Sequence, residues 1–113
     1  MNQSETTTAS LRRRRTLLFK RLVTIGPHVL RGSLIERYIR CGKPGCKCAE
    51  TPGHGPKYYL SVSYPGRTPE QEYVLQRYQD QVKEYLANYQ KIKAILEEIS
   101  CINRELLRRR EKL

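Results

Sequence analysis

Leu11, Leu18, Leu22 and Ile25 recur at helical spacing, so residues 9–25 are expected to form a helix with one apolar face. Ser10 is its expected N-cap, and Gly26-Pro27 stops it. The other face carries Arg12, Arg13, Arg15 and Lys20. Residues 34–39 form a short apolar run between Gly32 and the Gly42–Gly45 turn, and this predicts a strand. Residues 58–64 alternate apolar and small polar side chains, a second strand. After the turn Pro65-Gly66-Arg67-Thr68, residues 71–75 return as a third. Residues 1–8 are polar without period and predict a disordered tail.

From Leu75 to Arg110 there is neither Gly nor Pro. That predicts a helix of some 36 residues, roughly 54 Å long at 1.5 Å per residue. Val82, Tyr85, Tyr89, Ile92, Leu96, Ile99, Asn103 and Leu106 alternate spacings of three and four, fitting the a and d positions of a coiled coil, with Asn103 at an a position. Each apolar seam residue left in water forfeits roughly 1.5–3 kcal/mol. Two covers are open. Helix 9–25 can fold back, but it is under half the length of its partner. A second copy of the chain covers the whole seam, and a homodimer is the slightly favoured expectation.

The expected class is therefore α+β: an N-terminal helix, a small antiparallel sheet and a long coiled-coil-like C-terminal helix. The expected organisation is a tail over 1–8, a helix plus small β domain over 9–75, and a long amphipathic helix over 76–113.

Charge sharpens the picture. The 113 residues hold 22 Lys and Arg against 11 Asp and Glu, a net charge of +11. Residues 12–67 carry 13 of the basic side chains and only Glu36 and Glu50 in opposition, while residues 68–113 are nearly balanced. A segment this cationic repels itself and calls for a polyanion, nucleic acid before an anionic membrane surface. At 38% hydrophobic residues a large core is excluded, and with it a multidomain enzyme. No segment approaches the roughly 20 apolar residues of a membrane helix. Lys20 and Arg21 end the apolar run after Arg12–Arg15 too soon for a signal peptide, so the cytoplasm, with reduced thiols, is expected.

Three of the four cysteines lie within eight residues, spaced Cys41-x4-Cys46-x-Cys48-x5-His54. Thiolate and imidazole suit tetrahedral Zn²⁺, and three Cys with one His make a closed, structural set, so the sheet is expected to carry a zinc-knuckle-like loop. Pro44-Gly45 suits a type II turn in that loop. The competing readings are buried thiols, a disulfide, or a fourth ligand from His28 or another chain. Cys101, alone on the long helix, is a bystander. The metal's work would be folding, since apparent zinc affinities in finger peptides reach about 10–16 kcal/mol.

Catalytic patterns are missing. There is no HExxH, no GxxxxGK[ST], and no deaminase His-x-Glu with CxxC. Around the cysteines sit Arg31, Arg37, Arg40, Lys43, Lys47 and Lys57, with Tyr58 and Tyr59 adjacent, while Arg12, Arg13, Arg14 and Arg15 form a second cationic block and Arg108–Arg110 a third. Lys and Arg hold phosphate and tyrosines beside them stack on splayed bases, so these residues are the expected nucleic-acid-binding set, for DNA or RNA.

The stretch from Arg31 through Arg40-Cys41-Gly42-Lys43-Pro44-Gly45-Cys46-Lys47-Cys48, followed by His54-Gly55-Pro56-Lys57-Tyr58-Tyr59-Leu60, resembles an uncharacterised family of small bacterial and archaeal proteins known only as a domain of unknown function. Gly26-Pro27, Ala87-Asn88-Tyr89 and Ile102–Leu107 also match, so the resemblance spans roughly residues 20–110. Lys57 stands where the relatives run from Gly-Pro straight into the tyrosines. The resemblance implies no activity, and points weakly to mobile elements, since similar chains occur beside transposases. The sequence thus predicts a small, non-enzymatic, zinc-stapled nucleic-acid-binding accessory protein. The alternative is an adaptor that docks a larger recombinase or ribonucleoprotein through its long helix.

Overall fold

The computed structural model describes residues 5–39 and 54–113. The order of elements is α1 (Thr8–Ile25), β1 (Ser33–Ile39), β2 (His54–Tyr64), β3 (Arg67–Val74), a 3-10 turn (Gln76–Tyr78) and α2 (Gln79–Arg108). This is the expected α+β class. Helix α1 starts earlier than its Ser10 suggested. Thr7 is the N-cap, in extended backbone, and its hydroxyl accepts from the Ser10 backbone N–H at 3.1 Å. Gly26 ends the helix at φ +57°, donating its N–H to the Leu22 carbonyl. Strand β2 begins four residues before the expected Tyr58, and α2 begins after the 3-10 turn rather than at Leu75.

The chain divides into two compact units, Met1–Val29 with Ala87–Leu113, and Leu30–Leu86. The first helix and the sheet therefore fall in different units, and α2 contributes to both.

In the helical unit, Leu11 and Leu18 of α1 are buried with Ile95, Ile102 and Leu106 of α2, and Leu22, Ile25 and Ile99 pack around them. Helix α1 has thus folded back on the distal part of α2. It does not sit squarely on the expected seam. In the heptad that puts Leu96 and Asn103 at a, Ile95 and Ile102 occupy g. A globular helix buries a broader stripe than a coiled-coil seam, adding e or g to a and d. Here α1 covers the d and g side, through Ile99, Leu106, Ile95 and Ile102. Leu96 stays 52% exposed. Asn103 accepts from Arg15 Nη1 at 2.7 Å, within the chain. Nearer the start of α2, the seam residues Val82, Tyr85, Tyr89 and Ile92 are half-buried.

The polar rim of this unit is cross-linked. Arg14 makes a two-pronged pair with Glu98 at 2.6 and 3.2 Å. Arg12 donates to the Lys112 carbonyl at 2.6 Å, and Arg15 also reaches the Leu113 carbonyl. Asn88 Nδ2 donates to the His28 carbonyl at 2.9 Å. Near the end of α2, buried Glu105 accepts from Arg108 Nε at 3.0 Å and Arg109 Nε at 3.4 Å, while Arg109 Nη1 reaches the Thr8 hydroxyl.

The sheet unit is a three-stranded antiparallel meander, β1-β2-β3. Leu34 pairs with Leu60 and Arg37 with Lys57 across β1 and β2, while Tyr59 pairs with Tyr73 and Ser61 with Gln71 across β2 and β3. Gly32 leads into β1 at φ +138°, where a Cβ would stand 2.5 Å from the Ser61 carbonyl oxygen. Only glycine fits this close approach. The Leu30 N–H donates to the Tyr85 carbonyl at 3.1 Å, tying the start of the unit to α2.

The hydrogen bond from Arg108 holds the Glu105 carboxyl below the usual carboxylate range, against burial, which acts in the opposite sense, and Arg109 adds to the lowering. A lowered folded-state pKa gives stability that is present above the ordinary carboxylate value and is lost as pH falls through the lowered one. Melting temperatures followed from pH 7 to pH 2 are expected to drop in that acid window, and Glu105→Gln is expected to flatten the drop. An identical pH profile in the variant would contradict the assignment.

Candidate nucleic-acid interface

Side chains alternate between the two faces of a strand, and directly paired residues share a face. The register therefore sorts the sheet. One face carries Ile35 and Arg37 from β1, Lys57, Tyr59 and Ser61 from β2, and Gln71 and Tyr73 from β3. The other carries Leu34 and Glu36, Tyr58, Leu60 and Val62, and Glu70, Glu72 and Val74. The buried pair, Leu60 and Val74, lies on the second face. So do Glu36, Glu70 and Glu72, the strand acids among the described residues. The first face has the paired-strand cations Arg37 and Lys57 and the tyrosines Tyr59 and Tyr73.

The groups on the first face hold one another. Tyr59 and Tyr73 meet edge to face, with ring centroids 5.5 Å apart. The Arg37 guanidinium lies 5.5 Å above the Tyr59 ring and donates to Gln71 Oε1 at 2.9 Å. Each exposed cation–π contact is worth about 0.5–1 kcal/mol, enough to bias the long side chain toward the sheet and leave the charge in water. Tyr73 is 53% exposed, and Lys57 and Arg37 are exposed. At the β2–β3 hairpin the Tyr64 ring lies under two guanidinium groups, Arg67 at 4.1 Å and Arg31 at 4.9 Å. Arg31 also donates to the Ser63 carbonyl at 2.9 Å, and Arg67 pairs with Glu70 at 3.5 Å.

The expected binding residues separate into four groups. Arg37, Lys57 and Tyr59 sit on the aromatic face, while Arg31 lies at the hairpin against Tyr64, past a register shift. Tyr58 does not join them. Consecutive strand residues point opposite ways, and its hydroxyl donates to Glu36 Oε1 at 2.9 Å. That bond to a carboxylate is the main reason its pKa is raised. The block Arg12–Arg15 is largely engaged within the helical unit. Arg12, Arg14 and Arg15 bind α2 or the residues after it, and Arg13 donates to the Ser10 hydroxyl. Arg14 in turn holds the Glu98 carboxyl below the usual range. Arg40, Lys43, Lys47 and the expected ligands Cys41, Cys46 and Cys48 lie outside the described residues, as does the His54 side chain.

Among the described residues no three His, Cys, Asp or Glu side chains converge. What the structure describes is the base of the cysteine-bearing segment: Ile39, ending β1, is the register partner of His54, opening β2. Cys101 is half-buried, with its sulfur 3.7 Å from Glu97 Oε1. Sequence reasoning missed Tyr73, Tyr64 and Arg67. Pairing residues 58–64 with 67–74 about the Pro65-Gly66 turn would have placed Tyr73 beside Tyr59.

No helix among the described residues is long and apolar enough to cross a membrane. A family model described as a domain of unknown function, DUF6788, matches residues 8–84, and the chain belongs to that family. The match takes in α1, the sheet and the first turns of α2. No curated protein and no solved structure matches the chain.

Proposed function

We propose that this member of a family of unknown function is a small, non-enzymatic nucleic-acid-binding accessory protein that grips phosphate with one face of its sheet. One observation carries the reading: the register gathers Arg37 and Lys57 with Tyr59 and the open Tyr73 on one face and turns Glu36, Glu70 and Glu72 to the other. Arg31 and Arg67 lie against Tyr64 at the hairpin, past the register shift after Val62, and are not counted in this face. The net charge of +11 supplies the long-range attraction. A role beside the recombinase of a mobile element, which the family resemblance suggests, belongs to the same proposal.

In fluorescence anisotropy with labelled DNA and RNA oligonucleotides, binding at micromolar concentration or tighter is expected in 50 mM salt, weakening steeply as salt rises. Arg37→Gln combined with Lys57→Gln is expected to weaken binding and to make the salt slope shallower by about one for each phosphate no longer neutralised. No binding at 50 mM salt overturns the reading.

We further propose that Cys41, Cys46, Cys48 and His54 hold a structural Zn²⁺. The ligand chemistry supports it, as does the pairing of Ile39 with His54, which brings the two ends of the cysteine-bearing segment to neighbouring strands. Leu60 and Val74 are the buried apolar residues among those described on the strands, a thin core for a free-standing sheet. Native mass spectrometry is expected to find one zinc per chain. EDTA is expected to lower the melting temperature and reduce the strand signal in circular dichroism. A melting curve unmoved by EDTA contradicts the assignment.

The adaptor reading draws on a different observation. Phe19 and Val23 of α1, at 58% and 59% exposure, and Leu96 of α2 offer apolar surface on the helical unit to a protein partner or a second copy. A specific partner retained at high salt without nucleic acid would favour it.

A further inference from the structure

We infer that the ligand of the aromatic sheet face is an unpaired nucleic-acid strand, with a base stacked on Tyr73 and the neighbouring phosphates on Arg37 and Lys57. The inference rests on the nucleic-acid reading above and adds the strand state of the ligand.

A duplex offers such a face little to stack on. Paired bases expose only their edges, at the floor of a groove. A major groove about 12 Å wide admits a helix or a two-stranded ribbon. Three strands span roughly 10 Å between their outer backbones before side chains are added, at about 4.8 Å per spacing. Tyr59 is on the middle strand, β2, and its register partner Tyr73 is on β3. A duplex laid on this sheet would present sugar and phosphate to both rings and leave them no base to meet. A single strand has no such restriction. Its bases splay out, and every base has a π-face that stacks on an aromatic side chain.

The geometry distinguishes the two tyrosines. Tyr59 already has Arg37 above its ring and the edge of Tyr73 against it. It serves as a prop that sets the angle of Tyr73, with the two rings inclined at 65°. Tyr73 is the more open ring and is the stacking platform. Charge complementarity supports the assignment. Arg37 and Lys57 are register partners on β1 and β2, beside the tyrosine pair on the same face, and the strand acids point away. Gln71, which accepts from Arg37, keeps its amide N–H groups for a base edge or a sugar hydroxyl.

The full-length protein, purified without chelator, would be titrated at 100 mM salt into labelled oligo(dT), oligo(rU) and a mixed-sequence duplex of equal length. Both single strands are expected to bind at least tenfold tighter than the duplex. A preference between the two names the natural source as DNA or RNA and supports the inference either way. Tyr73→Leu is expected to lose roughly 5- to 150-fold in single-strand affinity, the range for one stacked base, while Tyr73→Phe retains it. Lys57→Gln is expected to make the salt slope shallower, and Tyr73→Leu to leave the slope unchanged. Duplex binding as tight as single-strand binding overturns the inference and leaves the nucleic-acid reading standing. So does a folded Tyr73→Leu variant with unchanged affinity. Absence of any binding at 50 mM salt removes both. If Tyr73→Leu fails to fold, the strand-versus-duplex comparison on the unaltered protein decides.

Discussion

The alternation of side chains along paired antiparallel strands is the constraint on which the proposed binding face depends. A slip of one residue in either pairing would move every side chain of the slipped strand to the other face. Tyr73 would then leave Tyr59, and Glu72 or Val74 would take its place. The register is held by more than strand hydrogen bonds. The buried pair Leu60 and Val74 fixes which face turns inward, Gly32 permits the close approach of β1 to Ser61, and the Pro65-Gly66 turn sets the hairpin. Sequence positions that look like an undifferentiated run of tyrosines and cations become a two-sided surface through this pairing.

The positive charge does two kinds of work. In the helical unit a short apolar line, Leu11 and Leu18 against Ile95, Ile102 and Leu106, is edged by arginines that bind carboxylates and carbonyls of the same chain. The Arg14–Glu98 pair is substantially exposed, and such pairs contribute about 0–1 kcal/mol each, so their value is geometric. They link α1 to α2 and to the residues after it along the edge of the apolar line. In the sheet unit Arg31, Arg37 and Arg67 rest on aromatic rings, and Arg37 and Lys57 are exposed. The arginine block that dominates the sequence is thus largely engaged within the helical unit, and Arg37 and Lys57 supply the cations of the proposed binding face.

Much of the fold was legible from the residues. The spacing of Leu11, Leu18, Leu22 and Ile25 gives α1, the alternation in 58–64 gives β2, and the long interval without Gly or Pro gives α2. The strict a and d reading of α2 misplaced part of its buried face, because Ile95 and Ile102 at g are as apolar as the seam and α1 selects their side. The site was only partly legible. Tyr58 and Tyr59 are adjacent in sequence, and proximity along the chain says nothing of faces until the strand state is applied. Tyr73 was hidden because its neighbours Gln71 and Glu72 are polar and its partner lies across a turn. Arg12, Arg14 and Arg15 looked free because their partners, Lys112, Glu98 and Asn103, are some 84 to 100 residues away.

The central claim, that binding belongs to one side of the sheet rather than to net charge, is tested most directly by two neighbours on β3. Gln71→Lys and Glu72→Gln each raise the net charge by one, but on opposite faces. At 150 mM salt the screening length is about 8 Å, comparable with the thickness of a sheet and its side chains. Single-strand affinity measured there is expected to rise several-fold with Gln71→Lys and to stay within about twofold with Glu72→Gln. Equal gains from both substitutions would mean that overall charge alone governs binding, and would contradict the account.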